Sequence, residues 1–248
     1  MSGRYKAYGE YKESGVEWLG EIPEGWRVNK MRYLFSFGKG LAITKENLMD
    51  EGVHCVNYGE VHSKYAFEVD PGKHPLKCVS TQYLISSPNS LLNKGDLVFA
   101  DTSEDIEGSG NFTQLVSNDS VFAGYHTIIA RPYGGGNRRY YAYLFDCSEL
   151  RSQIKYSVKG VKVFSITQAI LRSVNIWLPS PQEQFQIAAF LDHETAKIDT
   201  LIDLQQQQIE LLKERRTALI SAAVTGKIDV RDWQVPSVTQ TESDEVTA

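Results

Sequence analysis

His54, Cys55, His62, His74 and Cys78 place five metal-capable side chains in one stretch of the chain. A metal site would want a ligand pair at a spacing such as CxxC or HxxxH, and none of these residues supplies one. His54 and Cys55 are adjacent, so on a strand they would point to opposite faces. They read as core or surface residues. The sequence DTSED at 101–105 bunches three acids after a strand, as metal-dependent nucleases do. Asp101 and Glu104 would carry that chemistry, but such a site wants a lysine nearby to position water, and the next one downstream is Lys155. The plainer reading is a polar loop at a strand end.

Three further motifs fail in the same way. FGKG at 37–40 faintly resembles the glycine turn of adenosylmethionine-dependent methyltransferases, but no NPPY-type tetrapeptide accompanies it. GGGNRR at 134–139 lacks the GK[ST] ending of a phosphate-binding P-loop. No G-x-S-x-G nucleophile elbow occurs. The chain is expected not to be an enzyme and to bind no cofactor or metal of its own.

Recognition remains. The formal net charge is −5, against a free-standing nucleic-acid binder, but the charges are unevenly spread. Arg27, Lys30, Arg32, Lys39 and Lys45 follow one another with no acid between them, and Arg131 to Arg172 holds eight basic residues against Asp146 and Glu149. An acidic protein can still present basic stripes to phosphate. Beside these stripes lie side chains suited to base edges and sugars. Besides Lys39, the DNA-contact candidates are Asn57, Tyr58, Lys64 and Tyr65 in VNYGEVHSKY, Thr102 and Ser103 in DTSED, Asn137, Arg138 and Arg139 after the glycine loop, and Lys159 and Lys162 in VKGVKVFS.

The elements that must position them read as an α+β chain: a mixed α/β domain followed by one long C-terminal coiled-coil helix. Residues 14–35 look like a docking strap. VHCVNYGEV, KCVSTQYLI, GDLVFADT and SVFAGYHTIIARP are rich in β-branched and aromatic residues and read as strands. Tyr140, Leu144, Phe145, Leu150 and Ile154 predict one helix through RYYAYLFDCSELRSQIKYSV, followed by a loop, a short helix and a closing strand NIWL. The boundaries are 1–178 for the strap and globular domain, 179–226 for the long helix, and 227–248 for an exit segment with a polar, disordered tail.

Ser180, Pro181 and Glu183 predict the start of that helix. The serine caps an N–H, the proline takes the first position, and the glutamate reaches back to the serine N–H. Gly226 predicts its end as a left-handed C′ residue. About 44 residues between these caps would extend roughly 65 Å. Positions 191, 195, 198, 202, 205, 209, 212, 216 and 219 alternate steps of four and three and hold Leu, Thr, Ile, Ile, Gln, Ile, Leu, Arg and Leu. Such a seam wants a second helix, and Leu191, Ile198, Ile202, Ile209, Leu212 and Leu219 are its apolar members. No apolar run approaches the roughly 20 residues of a membrane span, no secretory signal opens the chain, and three cysteines at unrelated spacings suggest no disulfide framework, so a soluble cytoplasmic protein is expected.

Several of these segments together resemble the specificity (S) subunit of type I restriction-modification systems. They are YKESGVEWLGEIPEGW, GDLVFADTSED, AGYHTIIARP, SITQAIL, IWLPSPQEQFQIAAFLDHETAKIDTLI and LLKERRTALISAAVTGKIDV, within residues 10–233. The resemblance implies a non-catalytic DNA reader with a target-recognition domain. It also implies partner methyltransferase (M) subunits that carry S-adenosylmethionine, and restriction (R) subunits beyond them. The family has two recognition domains and two conserved helices in tandem; only one of each, with no internal repeat, is found here, so a half-length form is expected. Two copies would pair their helices antiparallel, each reading half of a bipartite target in double-stranded DNA. The other reading is a truncated regulatory homologue that binds M subunits without productive recognition.

Overall fold

The computed structural model describes residues 5–134, 136–158 and 163–234. Contacts divide the chain into two compact units, one ending at Asp192 and one beginning at His193. The division falls inside the long helix, so its first turns belong with the globular unit.

The globular unit opens with a hairpin of β1 (Tyr11–Glu13) and β2 (Glu21–Pro23). There follow β3 (Arg27–Lys30), β4 (Phe35–Lys39), β5 (Val53–Val56), β6 (Phe67–Val69) and β7 (Lys77–Val79). After a one-turn helix α1 (Tyr83–Ser86) come β8 (Leu97–Ala100), β9 (Thr102–Ser103), β10 (Phe112–Leu115), β11 (Val121–Ala123) and β12 (Thr127–Pro132). Helices α2 (Arg138–Asp146) and α3 (Ser148–Ser157) precede β13 (Phe164–Ser165), α4 (Gln168–Ser173) and β14 (Asn175–Leu178). Helix α5 is Pro181–Val224.

A five-stranded sheet in the order β4-β12-β8-β10-β6 forms the centre, antiparallel except where β6 joins β10. Alternation along β8 explains its apolar run. Leu97 and Phe99 face the core built with α2, α3 and β14, whereas Val98 and Ala100 face a second core with Val56, Val61 and Leu115. A strand covered on both faces shows no polar face, so LVFA reads as continuous apolar sequence. The sheet β11-β5-β7 closes a smaller cluster around Cys55, Val79 and Phe122. Strand β14 pairs antiparallel with β3, joining the end of the globular sequence to its beginning.

Several segments depart from their expected form for local reasons. KCVSTQYLI leaves the sheet at Val79, where the Ser80 hydroxyl accepts the Gln82 N–H and starts a turn into α1. VHCVNYGEV stops at Val56; the Glu60 carboxylate takes the Asn57 N–H, and a π-helical turn, Glu60–Lys64, follows. SVFAGYHTIIARP becomes two strands in different sheets, parted at Gly124–His126. The single helix expected through residues 139–158 is two, broken at extended Cys147. The apolar rhythm had already lost phase there, since Phe145 to Leu150 is a step of five. FTQL, its middle occupied by Thr and Gln, forms a fully buried strand that its polarity had hidden.

Helix α5 has the expected caps, with one change. Glu183 N–H donates to the Ser180 hydroxyl at 3.3 Å. The Glu183 carboxylate does not reach back. It accepts the Tyr8 hydroxyl at 2.7 Å and the Trp26 indole N–H at 3.0 Å, so the strap takes the acid that the cap would have used. Burial, then that bond, raises the Tyr8 hydroxyl to about 12. At the other end Gly226 has φ +73° and Lys227 N–H bonds Ala222 O at 2.8 Å, a left-handed helix stop. No helix among the described residues is long and apolar enough to cross a membrane.

Candidate nucleic-acid interface

Strand register sorts the candidate residues into two groups. Ala100 pairs with Thr127 and Lys39 with Ile128, so Lys39, Asp101 and His126 share one end of the sheet. Leu97 pairs with both Ala130 and Gln114, so Gly95, Asp96 and Arg131 lie at the other.

The first end is built from loops. Beyond Ala100, β9 pairs with β13, Thr102 opposite Ser165 and Ser103 opposite Phe164. This brings the sequence after the KGVK stretch alongside DTSED; Lys159 and Lys162 themselves lie outside the described residues. The His62 imidazole meets the Ser103 hydroxyl at 3.2 Å, and Asn111 donates to the His62 carbonyl at 3.1 Å. A Cβ on Gly108 would lie 2.6 Å from the Ser103 hydroxyl and 2.7 Å from the His62 ring, so a larger residue there would push this pair aside. Tyr58 N–H donates to the Tyr125 carbonyl, and the Tyr58 ring lies 5.1 Å from that of His62. Segments 57–65, 101–111, 124–126 and 164–165, remote in sequence, therefore meet here.

Side chains at this end differ in availability. Lys39 is exposed, and Lys64 is exposed with a loose 3.5 Å pair to Glu60. Tyr58 and Thr102 are half-buried. Tyr65 stacks on His74 and donates to the Pro75 carbonyl. Asn57 and Ser103 are correctly placed in sequence but buried, Asn57 against Cys55 and Gly124, Ser103 beneath His62. These two position loops and present no edge to a groove. Burial, then the nearby Glu104, Asp105 and Asp101, raise the Tyr58 hydroxyl pKa. The surface is thus mixed: lysines suit phosphate, while carboxylates accept from base amino groups.

His126 is the residue that the sequence reading passed over. It is exposed, sits at φ +54° and meets Asp101 at 3.2 Å. A non-glycine residue held in the left-handed region marks a place where the surroundings over-determine the backbone. The available signal was the Gly-Tyr-His turn inside an otherwise strand-like run.

The second end holds the other three candidates, and there the structure assigns each a structural partner. Asn137 caps α2, its side-chain Oδ1 accepting the Arg139 and Tyr140 N–H groups. Arg139 Nε donates to Asp192 at 2.7 Å, Nη1 lies 2.9 Å from Glu68 Oε2, and the guanidinium sits 4.5 Å over the Phe67 ring. Burial opposes the Arg139 charge, but the bond to Asp192 and the fields of Asp192 and Glu68 outweigh it and raise its pKa. Arg138 donates to the Lys94 carbonyl and lies 3.7 Å from Asp96.

Lys155 does reach the acidic loop, pairing with Glu107. Even so, no group of three or more His, Cys, Asp or Glu side chains among the described residues is placed to hold a metal. Cys78 Sγ lies 3.7 Å from His54 Nδ1, a two-residue contact.

On α5, Gln184 and Ala188 are buried against the globular unit. In the second unit Ile198, Ile202, Ile209, Leu212 and Leu219 are each about half exposed, whereas Leu191, in the first, is partly buried.

Comparison with known proteins gives a consistent family. Residues 23–214 match the model of the type I restriction modification DNA specificity domain. The MjaVIII type I restriction enzyme specificity subunit of Methanocaldococcus jannaschii is 23% identical over 226 residues, 90% of this chain and 51% of that protein. The StySPI specificity subunit of Salmonella potsdam is 25% identical over 215 residues, 84% of this chain and 44% of that protein. The HsdS subunit of Thermoanaerobacter tengcongensis shares the fold with a TM-score of 0.58 at 19% identity, covering 88% of this chain and 48% of that one. The chain spans about half the length of the curated relatives it matches.

Proposed function

The chain belongs to the type I restriction modification DNA specificity domain family, and from that premise we propose that it is the non-catalytic DNA-reading component of a type I restriction-modification assembly. The observation that carries this reading is the convergence of four sequence-distant loop segments at one end of the sheet, with Lys64, Tyr58, Thr102 and His126 among them and Lys39 at the neighbouring end of β4. Phosphate contacts from the lysines would set register, and the polar and carboxylate groups between them would select bases.

The long helix completes the proposal. Its second-unit aliphatic residues, half exposed in a single chain, would form a seam with a second copy placed antiparallel. A two-fold axis would then relate two readers, and the pair would recognise an interrupted, symmetric target with helix length setting the spacer. Methyl transfer to adenine would belong to M subunits carrying S-adenosylmethionine, and cleavage to R subunits.

Co-expression with an M subunit and methylome sequencing test the whole reading: methylated adenines in a bipartite palindrome are expected. Retained M binding without methylation would move the chain to the regulatory role. Ile209→Asp with Leu212→Asp should yield monomers by light scattering and abolish methylation; an unchanged dimer refutes the seam. Deleting one heptad from α5 should change the spacer and preserve both half-sites.

A further inference from the structure

Gln184 joins two helix beginnings. Its amide oxygen accepts the Asn137 N–H at 2.9 Å, just before α2, and its amide nitrogen donates to the Pro179 carbonyl at 3.0 Å, just before α5. Beside this joint lies a cavity of about 440 Å³ lined by Arg27, Asn29, Gly136, Tyr141 and Ser180, among others, with no acidic side chain in its wall. Nothing in the recognition loops takes part in it.

Tyr141 makes the cavity more than a gap. The residue is only 3% exposed, yet its hydroxyl has no hydrogen-bond partner among the described residues. It lies against the backbone of Gly136, where a Cβ would come within 2.0 Å of the hydroxyl oxygen. The hydroxyl is not closed off in the core but faces the cavity, where it can donate to whatever fills it. Arg27, on β3, is exposed and likewise has no ion-pair partner among the described residues. The Ser180 hydroxyl accepts from Glu183 N–H and keeps its own hydrogen to donate. The nearest acid on α5, Glu183, is already held by Tyr8 and Trp26. The wall thus supplies a cation, two hydroxyl donors and the positive end of the 44-residue helix α5, the N–H groups at the start of α2 being already taken by Asn137 and Gln184.

We infer that this cavity binds a phosphate group, with Arg27 supplying charge and Tyr141 and Ser180 donating hydrogen bonds. The phosphate comes either from a phosphodiester of bound DNA or from a free phosphate species; the chemistry of the site is the same.

The test is calorimetric titration of the full chain with inorganic phosphate at matched ionic strength, alongside a DNA duplex titrated over a range of salt. Saturable phosphate binding is expected, weakened roughly tenfold by Arg27→Ala and several-fold by Tyr141→Phe. Both variants should unfold near the wild-type urea midpoint, because among the described residues neither the Arg27 guanidinium nor the Tyr141 hydroxyl has a hydrogen-bond or ion-pair partner to lose. If the duplex displaces phosphate and Arg27→Ala reduces the salt slope of duplex binding by about 1, the phosphate is that of DNA. If phosphate binds and the duplex neither displaces it nor responds to Arg27→Ala, the ligand is a free species. A loss of duplex affinity in both variants without measurable free-phosphate binding also supports the site, with DNA as the source. Phosphate binding equal in all three proteins overturns the inference. So does absence of phosphate binding together with unchanged duplex binding, which would leave the cavity to water. Because the recognition loops lie elsewhere, failure here leaves the DNA-reading proposal standing.

Discussion

The two ends of the central sheet carry similar side chains and do different things with them. At the loop end, Lys39, Lys64 and His126 stand exposed around strained backbone and loosely held carboxylates. At the other end, Arg131, Arg138 and Arg139 are as numerous and as basic, but each faces an acid: Asp96 for the first two, Asp192 and Glu68 for the third. Positive charge in sequence is therefore not positive charge on offer. What separates the ends is the carboxylates that the fold brings opposite them, Asp192 from 53 residues away.

The strongest way to break that contrast is Arg131→Ala. Asp96 is 1% exposed, and Arg131 Nε meets it at 2.9 Å while the same guanidinium bonds the carbonyls of Asn89 and Leu91. Removing the arginine leaves the buried carboxylate with only the Asn93 N–H and the more distant Arg138, for which a loss of about 3 kcal/mol, at the low end of the range for a broken buried pair, is expected in urea unfolding. A loss below about 1 kcal/mol would show that this end is not held by its charges.

A second, smaller effect separates the thiols of the two regions. Cys55 lies beneath the loop end, and burial first, then Glu60 and Cys78, raise it from 9.0 to about 12. Cys147, between α2 and α3, is raised from 9.0 to about 11, again chiefly by burial. Both native values exceed the unfolded ones, so the stabilisation is complete below pH 9.0 and is lost as pH rises toward the native values. Urea midpoints should hold to about pH 9 and then fall, by an order of magnitude of 2 kcal/mol at about pH 10.5 from Cys55 alone. Cys55→Ala should flatten the fall more than Cys147→Ala; the reverse order would place the tighter burial at the helical junction.

Lys39→Ala and Lys64→Ala probe the loop end directly. Each should weaken duplex binding several-fold, lower its salt slope by about 1, and leave stability within about 0.5 kcal/mol, because neither holds a close ion pair. Arg138→Ala should leave the salt slope unchanged. If Arg138 lowered it and the lysines did not, the assignment of the two ends would be inverted.

What the sequence disclosed follows the range of the forces involved. Helix α5 was legible at both ends because its signals are local: a serine hydroxyl on an N–H three residues on, a proline where no donor is needed, and a glycine at φ +73°. The apolar strands were legible because burial on both faces writes itself into composition. Partnerships across the chain were not legible. Nothing near Glu183 announces Tyr8 and Trp26, and nothing near Asn57 announces the Gly124 backbone that packs against it. Candidate residues chosen by type alone consequently mixed exposed groups such as Lys64 with buried ones such as Ser103. His126 was missed for the opposite reason: its importance lies in a backbone angle, which residue type hardly records.

His126 offers the finest test of the contrast, because its backbone and side-chain roles can be separated. His126→Gly removes the cost of a left-handed non-glycine residue but adds unfolded-state entropy and deletes an exposed pair with Asp101, so stability should change by no more than about 1 kcal/mol. His126→Asn keeps a residue that tolerates φ above zero and retains hydrogen-bonding capacity without an ionisable ring. If the imidazole touches DNA, glycine should weaken duplex binding several-fold, and asparagine should restore part of it. If the turn serves only to part β11 from β12, glycine should bind duplex as wild type does, and the loop end would read through its lysines and carboxylates alone.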